Sequence, residues 1–379
     1  MTLAIRRLER RRALTTRDID EFLDRHSFPL LEGNTATFAY RGPADEVHLK
    51  HWIFGLPSGQ PFRRLKDTDL WYLVLELPEN SRVEYKFNRV LGEDQKWILD
   101  PLNPNIARDP FGANSVCQTA GYETPEWTQT NDEARPGEIR RIEIHSSALR
   151  DTREVQLYLP PRWRELRRYP LLIVHDGSDF LRYASLQTVL DNLIYRFEIP
   201  PLFVALTDSS KRLREYAADR RHSRYLTEEL LPLLEDRFPI DRAPSSRGLM
   251  GASFGGVASL ATAWHYPGTF SRLLLQSGSF AFSDIGMDHS RGPTFDPVVR
   301  FMNRFREKPG RPADKIFMSC GIYESLIYEN RSLLPMLQST GMAVRYEEAR
   351  DGHNWENWRD RLRTGLSWLF PGPLWMVYE

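Results

Sequence analysis

The chain has 379 residues, and its 51 Lys and Arg balance 51 Asp and Glu, so its formal net charge is zero. This balance lacks the basic excess typical of nucleic-acid binding. The only two cysteines, Cys117 and Cys320, are too few and too far apart for a disulfide framework or a zinc cluster. The length is sufficient for two or three domains.

The first twelve residues are basic, and no apolar stretch follows them. A secretory signal is therefore not expected, and the segment is interpreted as a solvated terminus. No apolar run approaches the roughly 20 residues that a membrane span needs. We therefore expect a soluble cytoplasmic protein that binds neither nucleic acid nor a membrane. The sequence carries no signal for its oligomeric state.

An N-terminal β-rich region follows a short helix, which is predicted over 16–26 with Thr16 as its N-cap. Short segments rich in aromatic and β-branched residues alternate partly with polar ones, and Gly, Pro and Asn separate them. This pattern is typical of an antiparallel β-sandwich of roughly a hundred residues. We assign 1–120 to this domain and 121–136 to a linker. The predicted strands are 36–40, 47–52, 70–77 and 82–87.

A different pattern begins near residue 137 and predicts a doubly wound α/β domain over 137–379. Continuous apolar runs, typical of buried parallel strands, alternate with helical segments. The segment 283–312 is interpreted as a polar insertion that forms a rim or lid. The predicted strands are 155–159, 171–175, 202–206, 246–250, 273–276, 316–320 and 343–346. The predicted helices are 186–195, 225–238, 256–266, 329–337 and 358–369.

The hexapeptide Gly-Ala-Ser-Phe-Gly-Gly at 251–256 fits G-x-S-x-G, the nucleophile elbow of serine hydrolases. A short apolar strand precedes it and an Ala- and Leu-rich helix follows, which is the context that the motif requires. The glycines allow a sharp turn and a closely packed helix. The turn lifts Ser253 above the sheet at a helix N-terminus, and we predict Ser253 as the nucleophile.

A serine nucleophile needs a base, and the base needs an orienting acid. In α/β-hydrolases the three follow in the order Ser, acid, His. His353 lies in a loop between the last predicted strand and the last predicted helix, and we predict it as the base. Glu324 is the first carboxylate after the preceding strand and is predicted as the acid. Asp351 and Glu356, beside the histidine, are its rivals.

Further candidates follow the early strands of the predicted sheet. We expect an oxyanion hole from the N–H of Phe254 and that of Gly177. Trp355, two residues after the histidine, is a candidate substrate contact. An arginine-rich run follows strand 202–206 and suits an anionic substrate, or alternatively a solvated surface. No metal-ligand cluster is visible, so no cofactor is expected. The arginines that we select are Arg214, Arg221 and Arg224.

As a set, these motifs resemble the enterochelin (enterobactin) esterase family of the α/β-hydrolase superfamily. The resemblance covers nearly the whole chain, although feruloyl, acetyl and mycolyl esterases share the C-terminal motifs. Those motifs lie at 175–177, 228–232, 251–256, 276–280, 329–331 and 351–354. The segments that look like the family's immunoglobulin-like N-terminal domain are 72–78, 85–87, 99–104 and 114–116.

The resemblance implies intracellular hydrolysis of the ester backbone of a ferric catecholate siderophore, which releases the iron. Such a substrate is a trianion, and the arginine run would suit it. One alternative is a carbohydrate-linked feruloyl or acetyl esterase, against which the lack of a signal peptide argues. Another is a catalytically silent binding protein of the same fold, against which an intact Ser253, Glu324 and His353 argue.

Overall fold

The computed structural model describes residues 2–285 and 292–373. These residues form two compact units. The N-terminal unit comprises the described residues up to Glu123 together with Ile322–Glu324 and Arg350–Asn354, and the C-terminal unit comprises the described remainder. Within the described ranges, every helix is too short or too polar to cross a membrane.

The N-terminal unit begins with helix α1 (Ala4–Glu9), where the sequence predicted a solvated terminus. That prediction is wrong because the apolar residues of this segment recur one helical turn apart. They therefore share one face of a helix and can be buried even though the other face is basic. The buried residues of α1 are Ala4, Ile5 and Leu8.

Helix α2 (Thr16–Asp24) forms as predicted, but its N-cap is Thr15 and not Thr16. The Thr15 hydroxyl accepts a hydrogen bond from the N–H of Asp18 at 3.2 Å. In return, the Asp18 carboxylate accepts one from the N–H of Thr15 at 2.9 Å. This reciprocal pair is a capping box, which satisfies backbone donors that the first turn leaves without helical partners.

Two antiparallel sheets make up the rest of the N-terminal unit. One has the order β1-β2-β6-β5 and the other the order β4-β3-β7-β10-β9, with β8 also paired to β7. The predicted strands correspond to β2, β3, β6 and β7, and each starts within one residue of the observed start. Two of them, 47–52 and 70–77, extend one residue past the observed end. The bounds are β1 (Leu30–Glu32), β2 (Thr35–Arg41), β3 (Glu46–His51), β4 (Gly59–Pro61), β5 (Arg63–Arg64), β6 (Leu70–Glu76), β7 (Arg82–Leu91), β8 (Asp94–Ile98), β9 (Ile106–Asp109) and β10 (Gly112–Gln118).

Aromatic side chains from both sheets form the core between them. The ring of Phe38 in β2 packs edge-on against Tyr85 in β7, with 4.9 Å between ring centres. Phe62, between β4 and β5, packs in the same way against Phe87 at 5.1 Å. Edge-to-face pairs of this kind add to the stability that burial alone provides. Strand β7 is central to its sheet, so its position is fixed by pairing on both sides.

The C-terminal unit contains an eight-stranded sheet with the order β11-β12-β14-β13-β15-β16-β17-β18. Strand β12 pairs antiparallel with β11 and β14, and all other pairs are parallel. The predicted doubly wound α/β sheet is confirmed, with β11 as an additional edge strand. The bounds are β11 (Glu138–Ser146), β12 (Asp151–Leu159), β13 (Leu171–His175), β14 (Phe203–Thr207), β15 (Arg247–Ala252), β16 (Arg272–Gln276), β17 (Lys315–Gly321) and β18 (Ala343–Ala349).

Helices cover both faces of this sheet. Helices α3, α4 and α11 share one apolar core with the sheet, and α7 to α10 share the other. A π-helical turn, Tyr225–Leu230, leads into α7. The expected insertion at 283–312 contains α9, and its residues 286–291 lie outside the described ones. The bounds are α3 (Gly177–Tyr183), α4 (Leu186–Tyr195), α5 (Arg212–Glu215), α6 (Arg220–Arg224), α7 (Leu231–Arg237), α8 (Phe254–His265), α9 (Asp296–Glu307), α10 (Ile327–Ser339) and α11 (Trp355–Leu369).

The strand order reverses beside β13, since β14 lies on one side of it and β15 on the other. Ligand sites of open α/β sheets lie at such a switch point, outside the carboxyl ends of the strands. The connections that leave that edge include those after the parallel strands β13, β15, β17 and β18. The predicted triad and oxyanion residues come from these four connections, whereas the selected arginines follow β14.

Candidate active site

Ser253 occupies a sharp turn between β15 and α8, with φ 55° and ψ −121°. A residue other than glycine is strained in this backbone conformation, and such strain is typical of functional turns. The N–H of Ser253 donates to the carbonyl of Gln276 at 2.9 Å, which ties the turn to the end of β16. The Ser253 Oγ lies 3.1 Å from the Oγ of Ser279. The predicted strand–turn–helix context of Ser253 is therefore present.

Packing requires a glycine at position 251 and leaves little room for a side chain at position 255. A Cβ on Gly251 would lie 2.3 Å from the carbonyl carbon and oxygen of Gly255. A Cβ on Gly255 would lie 3.1 Å from the Cβ of His175 at the end of β13. Any larger residue at position 251 would push the first turn of α8 away from the sheet and displace the serine between them.

The two predicted oxyanion donors stand at the beginnings of helices. Phe254 is the first residue of α8, and Gly177 is the first residue of α3. An N–H in the first turn of a helix has no acceptor within that helix and can bind an anion. A Cβ on Gly177 would lie 2.6 Å from the Cα of Leu206 in β14, so a residue other than glycine does not fit. Helix α3, which the sequence did not predict, thus begins close against the sheet.

A half-buried ion pair adjoins these donors and was missed from the sequence. The Nε and Nη2 atoms of Arg212 donate to the carboxylate of Asp176 at 2.7 to 2.9 Å. Asp176 immediately precedes Gly177, and the guanidinium of Arg212 also lies 6.0 Å from the ring centre of Phe254. Arg212 belongs to the arginine-rich run from which Arg214 was selected, but the run itself does not mark it as the partner of Asp176.

A buried histidine pair lies behind the elbow. The Nδ1 atom of His175 lies 3.0 Å from the carbonyl of Met250, and its Nε2 lies 3.1 Å from the Nε2 of His222. Burial lowers the pKa of His175 to about 4, and burial together with the neighbouring His175 lowers the pKa of His222 well below its usual value. Both rings are therefore neutral at pH 7. His175 then donates to Met250 and accepts the Nε2–H of His222, which ties β13 to β15 beside the elbow.

This pair predicts that the C-terminal unit loses stability in weak acid. The native pKa of His175 is lowered to about 4 from the ordinary 6.5. The contribution of the neutral His175 ring to the free energy of unfolding is therefore full above about pH 6.5. It is lost as the pH falls toward 4, because the unfolded chain takes up the proton first. The free energy of unfolding that is lost through His175 alone is about 3 kcal/mol. Urea unfolding between pH 7.5 and pH 4 measures it.

Two variants serve as controls for this pH dependence. His222→Gln keeps an N–H donor for His175 but removes one titrating ring, so the stability should depend less steeply on pH. His145 is exposed on β11, and His145→Gln should leave the wild-type dependence unchanged. Identical pH profiles for wild type and His222→Gln would show that the pair does not cause the effect.

In the N-terminal unit, the structure brings together two other predicted residues. The Oε2 atom of Glu324 lies 2.7 Å from the Nδ1 of His353. Glu324 is buried, whereas the His353 side chain is 39% exposed. A carboxylate at Nδ1 keeps the proton on that nitrogen and leaves Nε2 as the basic atom.

The rival carboxylates have other surroundings. Asp351 is bound by the side-chain amide of Asn354 and the N–H of Gly352, each at 2.7 Å. Burial raises the pKa of Asp351 to about 6. Glu356 lies in the first turn of α11, in the C-terminal unit. The geometry therefore favours Glu324 as the partner of the histidine.

The remaining predicted residues are three arginines and a tryptophan. The three selected arginines are exposed, and Arg221 pairs with Asp219 at 2.7 Å. Trp355 is only 8% exposed and packs edge-on against Phe180, 5.2 Å between ring centres, and against Trp358 at 4.9 Å. Its place in an aromatic cluster of the core accounts for its size without a ligand.

Comparisons with known proteins agree with this chemistry. The "Putative esterase" family model matches residues 146–369. The iron(III) enterobactin esterase of Dickeya dadantii (strain 3937) is 26% identical over 348 residues, which cover 83% of this chain and 80% of that protein. The iron(III) enterobactin esterase of Escherichia coli (strain K12) is 24% identical over 331 residues, 81% of each. The resemblance inferred from the motifs is thereby confirmed.

Among solved structures, the ferric enterobactin esterase of Salmonella typhimurium superimposes with a TM-score of 0.73 at 21% identity, over 88% of this chain and 93% of that one. A ferulic acid esterase from Anaeromyces mucronatus gives a TM-score of 0.52 at 14% identity, over 64% and 94%. These likenesses show an α/β-hydrolase-like fold. The "Putative esterase" family model spans more than half of the sequence. The chain therefore belongs to the Putative esterase family and is a carboxylic ester hydrolase.

Proposed function

We propose that the protein hydrolyses the ester backbone of a ferric catecholate siderophore and so releases the iron. The observation that carries this proposal is the extent of its similarity to the enterobactin esterases, which reaches four-fifths of both chains. The ferulic acid esterase matches less than two-thirds of this chain. Similarity that includes the N-terminal region favours a substrate shared with the enterobactin esterases.

The proposed catalytic groups are Ser253 as nucleophile, His353 as base and Glu324 as orienting acid. Three features support this assignment. The serine stands in a strained elbow, the carboxylate and the imidazole are 2.7 Å apart, and the three follow the chain order of α/β-hydrolases. Their segments begin at the carboxyl ends of β15, β17 and β18, which belong to one run of parallel strands.

In the proposed mechanism, the Nε2 of His353 removes the hydroxyl proton of Ser253 while the serine oxygen attacks the ester carbonyl. The Glu324 carboxylate stabilises the imidazolium that forms. The N–H groups of Phe254 and Gly177 donate to the oxyanion of the tetrahedral intermediate. The imidazolium then protonates the leaving alkoxide, and the acyl group remains on the serine. Water, activated by the same histidine, releases the carboxylic acid and restores the serine.

The identity of the acid is tested by comparing two carboxylates. Glu324→Gln should lower kcat for p-nitrophenyl butyrate by about 10⁴-fold, because the amide no longer favours the catalytic tautomer of the imidazole. Asp351→Asn should have a much smaller effect, since Asp351 bonds to Asn354 and Gly352. A larger loss of kcat in Asp351→Asn than in Glu324→Gln would contradict the assignment.

Arg214, Arg221 and Arg224 remain our proposed contacts for an anionic substrate. Exposed single charges contribute little, but several that converge on a trianion add up. The double change of Arg214 and Arg221 to Gln should raise KM for a ferric catecholate triester about tenfold, which corresponds to ~1.4 kcal/mol. It should leave KM for the neutral p-nitrophenyl butyrate nearly unchanged.

The matched control uses two exposed arginines that precede β13, at the opposite edge of the sheet. Changing Arg164 and Arg168 to Gln alters the net charge equally but should affect neither substrate. If both double variants raise KM for the triester equally, net charge and not a local site is responsible, and these arginines are not substrate contacts.

Substrate class is tested directly with a panel. We expect kcat/KM to be highest for the ferric catecholate triester, lower for its iron-free form and lowest for methyl ferulate. A higher kcat/KM for the feruloyl ester would replace the siderophore proposal with a carbohydrate-linked esterase. Hydrolysis of none of the three, together with no reaction with a fluorophosphonate, would favour a silent binding protein.

We also propose that residues 1–120 form an immunoglobulin-like domain, that 121–136 are a linker and that 137–379 form the esterase domain. The two antiparallel sheets with a shared aromatic core support the first assignment. The short segments at 322–324 and 350–354 belong to the N-terminal unit by their contacts, although they follow strands β17 and β18 in the chain.

A further inference from the structure

The segments that carry Glu324 and His353 are both fastened to the beginning of strand β7. All of these residues belong to the N-terminal unit. The hydroxyl of Ser81, just before β7, lies 2.6 Å from the hydroxyl of Tyr323, the residue before Glu324. The next residue, Arg82, contacts the segment that contains the histidine. Two consecutive residues thus hold two segments that lie far apart in sequence.

Arg82 holds the histidine segment on both sides of His353. Its Nη1 donates to the Oδ1 of Asn354 at 3.0 Å and to the Oδ1 of Asp351 at 3.4 Å. Its backbone N–H donates to the carbonyl of Arg350 at 2.9 Å. The Arg82 side chain is only 2% exposed. A buried guanidinium with several charge-assisted hydrogen bonds permits few alternative positions for the groups that it binds.

The two segments are also joined to each other. The N–H of Tyr323 donates to the carbonyl of Asp351 at 3.2 Å. Arg350 donates from its guanidinium to the carbonyl of Glu79 at 2.6 Å, which ties the segment to the turn before β7. The Glu324–His353 pair therefore lies within a network whose fixed end is the β-sheet of the N-terminal unit.

We propose that Ser81 and Arg82 are positioning residues for the Glu324–His353 pair, so that the N-terminal unit takes part in catalysis. This inference rests on the proposed function, in which His353 is the base. A displacement of a catalytic group by about 1 Å can cost about 100-fold in rate. Hydrogen bonds to residues on both sides of the histidine, Asp351 and Asn354, are suited to prevent such a displacement.

Arg82→Met should lower kcat for p-nitrophenyl butyrate by about 100-fold and change KM little. The rate at which a fluorophosphonate labels the enzyme should fall in parallel, and the acidic limb of the kcat–pH profile should move. Arg89→Met is the matched control. Arg89 lies on the same strand and is paired with Asp94, so its loss should leave kcat and the pH profile at wild-type values.

Because Arg82→Met removes the cation beside buried Asp351, the double variant Arg82→Met/Asp351→Asn is measured as well. Near-wild-type thermal melting of the double variant with kcat still about 100-fold low supports positioning. Folded Arg82 variants with wild-type kcat and pH profile would overturn the inference. If His353→Ala remained active, the proposed function itself would fail, whereas an inactive His353→Ala with active Arg82 variants would refute the positioning role alone.

A second feature of the N-terminal unit is an exposed apolar loop after β3. Trp52 in this loop is 53% exposed, and Phe54 and Leu56 are exposed as well. Ile53 between them is buried in the core of the unit and anchors the loop. The N–H of Phe54 donates to the carbonyl of Tyr323 at 2.8 Å. The loop is therefore attached directly beside the Glu324–His353 pair.

From this placement we infer that Trp52 and Phe54 form a subsite for an aromatic ring of the ester substrate. Exposed aromatic side chains on an anchored loop offer flat surfaces for stacking, and clustered exposed apolar groups mark binding sites. The inference rests on the proposed function because the subsite adjoins the proposed base and acid. It names the aromatic part of the substrate as the group that is recognised.

Trp52→Ala should raise KM for a ferric catecholate triester about tenfold and leave KM for ethyl acetate, which has no aromatic ring, unchanged. The matched control is Trp97→Ala, since Trp97 is 57% exposed on β8 of the same unit. An equal change in KM for both substrates would overturn the proposed subsite. The same rise in KM for the triester in Trp97→Ala would also overturn it. Activity of Trp52→Ala on the acetate ester shows that the esterase function itself is intact.

Discussion

Ser253→Ala is expected to lower kcat for p-nitrophenyl butyrate by about 10⁶-fold, because it removes the atom that attacks the ester carbonyl. The fold should remain intact, since the Oγ has a hydrogen-bond contact only with Ser279 among the described residues, while the backbone N–H holds the turn. Steady-state kinetics and fluorophosphonate labelling measure the loss, and circular dichroism checks the fold.

Ser367→Ala is the matched control for this variant. Ser367 lies in α11, where its hydroxyl donates to the carbonyl of Arg363, and its loss should leave kcat unchanged. Activity of Ser253→Ala within tenfold of wild type would mean that Ser253 is not the nucleophile.

His353→Ala should be about as damaging as the serine change, because members of a catalytic triad act as a unit. The double variant Ser253→Ala/His353→Ala should therefore be no slower than either single variant. His145→Ala, at an exposed position on β11, is the control and should retain wild-type kcat.

Two results would contradict the role of His353. One is a loss of kcat smaller than tenfold in His353→Ala. The other is a double variant whose loss equals the product of the two single losses, because independent contributions exclude a shared step.

Buried parallel strands were the elements most accurately predicted. The bounds of strand β13 agree with the prediction at every residue. Among the helices, the bounds of α4 agree equally well. Continuous apolar runs identify such strands without knowledge of their neighbours. Edge strand β11 was missed because its outward residues are charged and only Ile142 and Ile144 give an apolar alternation.

Helix α9 was missed although its sequence contains the signal. Its buried residues recur at the spacing of one helix face, and Pro297 stands in its first turn, where proline is tolerated. The surrounding glycines, prolines and charges suggested an irregular insertion instead. The buried residues of α9 are Val298, Phe301, Met302 and Phe305.

The candidate site was predictable where chain order carries the information. Ser253, Glu324 and His353 each follow a strand of the predicted sheet, and their order matches that of α/β-hydrolases. Two other features were not predictable. Arg82 and Asp351 are 269 positions apart, and only the folded chain brings them together. Arg212 was passed over because its contact with Asp176 depends on the turn of α5.

The central claim is that Ser253 is acylated by a ferric catecholate ester. The most direct test mixes enzyme with the triester, quenches the reaction within a turnover and maps the protein by peptide mass spectrometry. We predict an acyl adduct on the peptide that contains Ser253, together with linear products that have gained one water per ester bond cleaved. Hydrolysis with the adduct on a different residue, or no cleavage of the triester by the wild-type enzyme, would contradict the account.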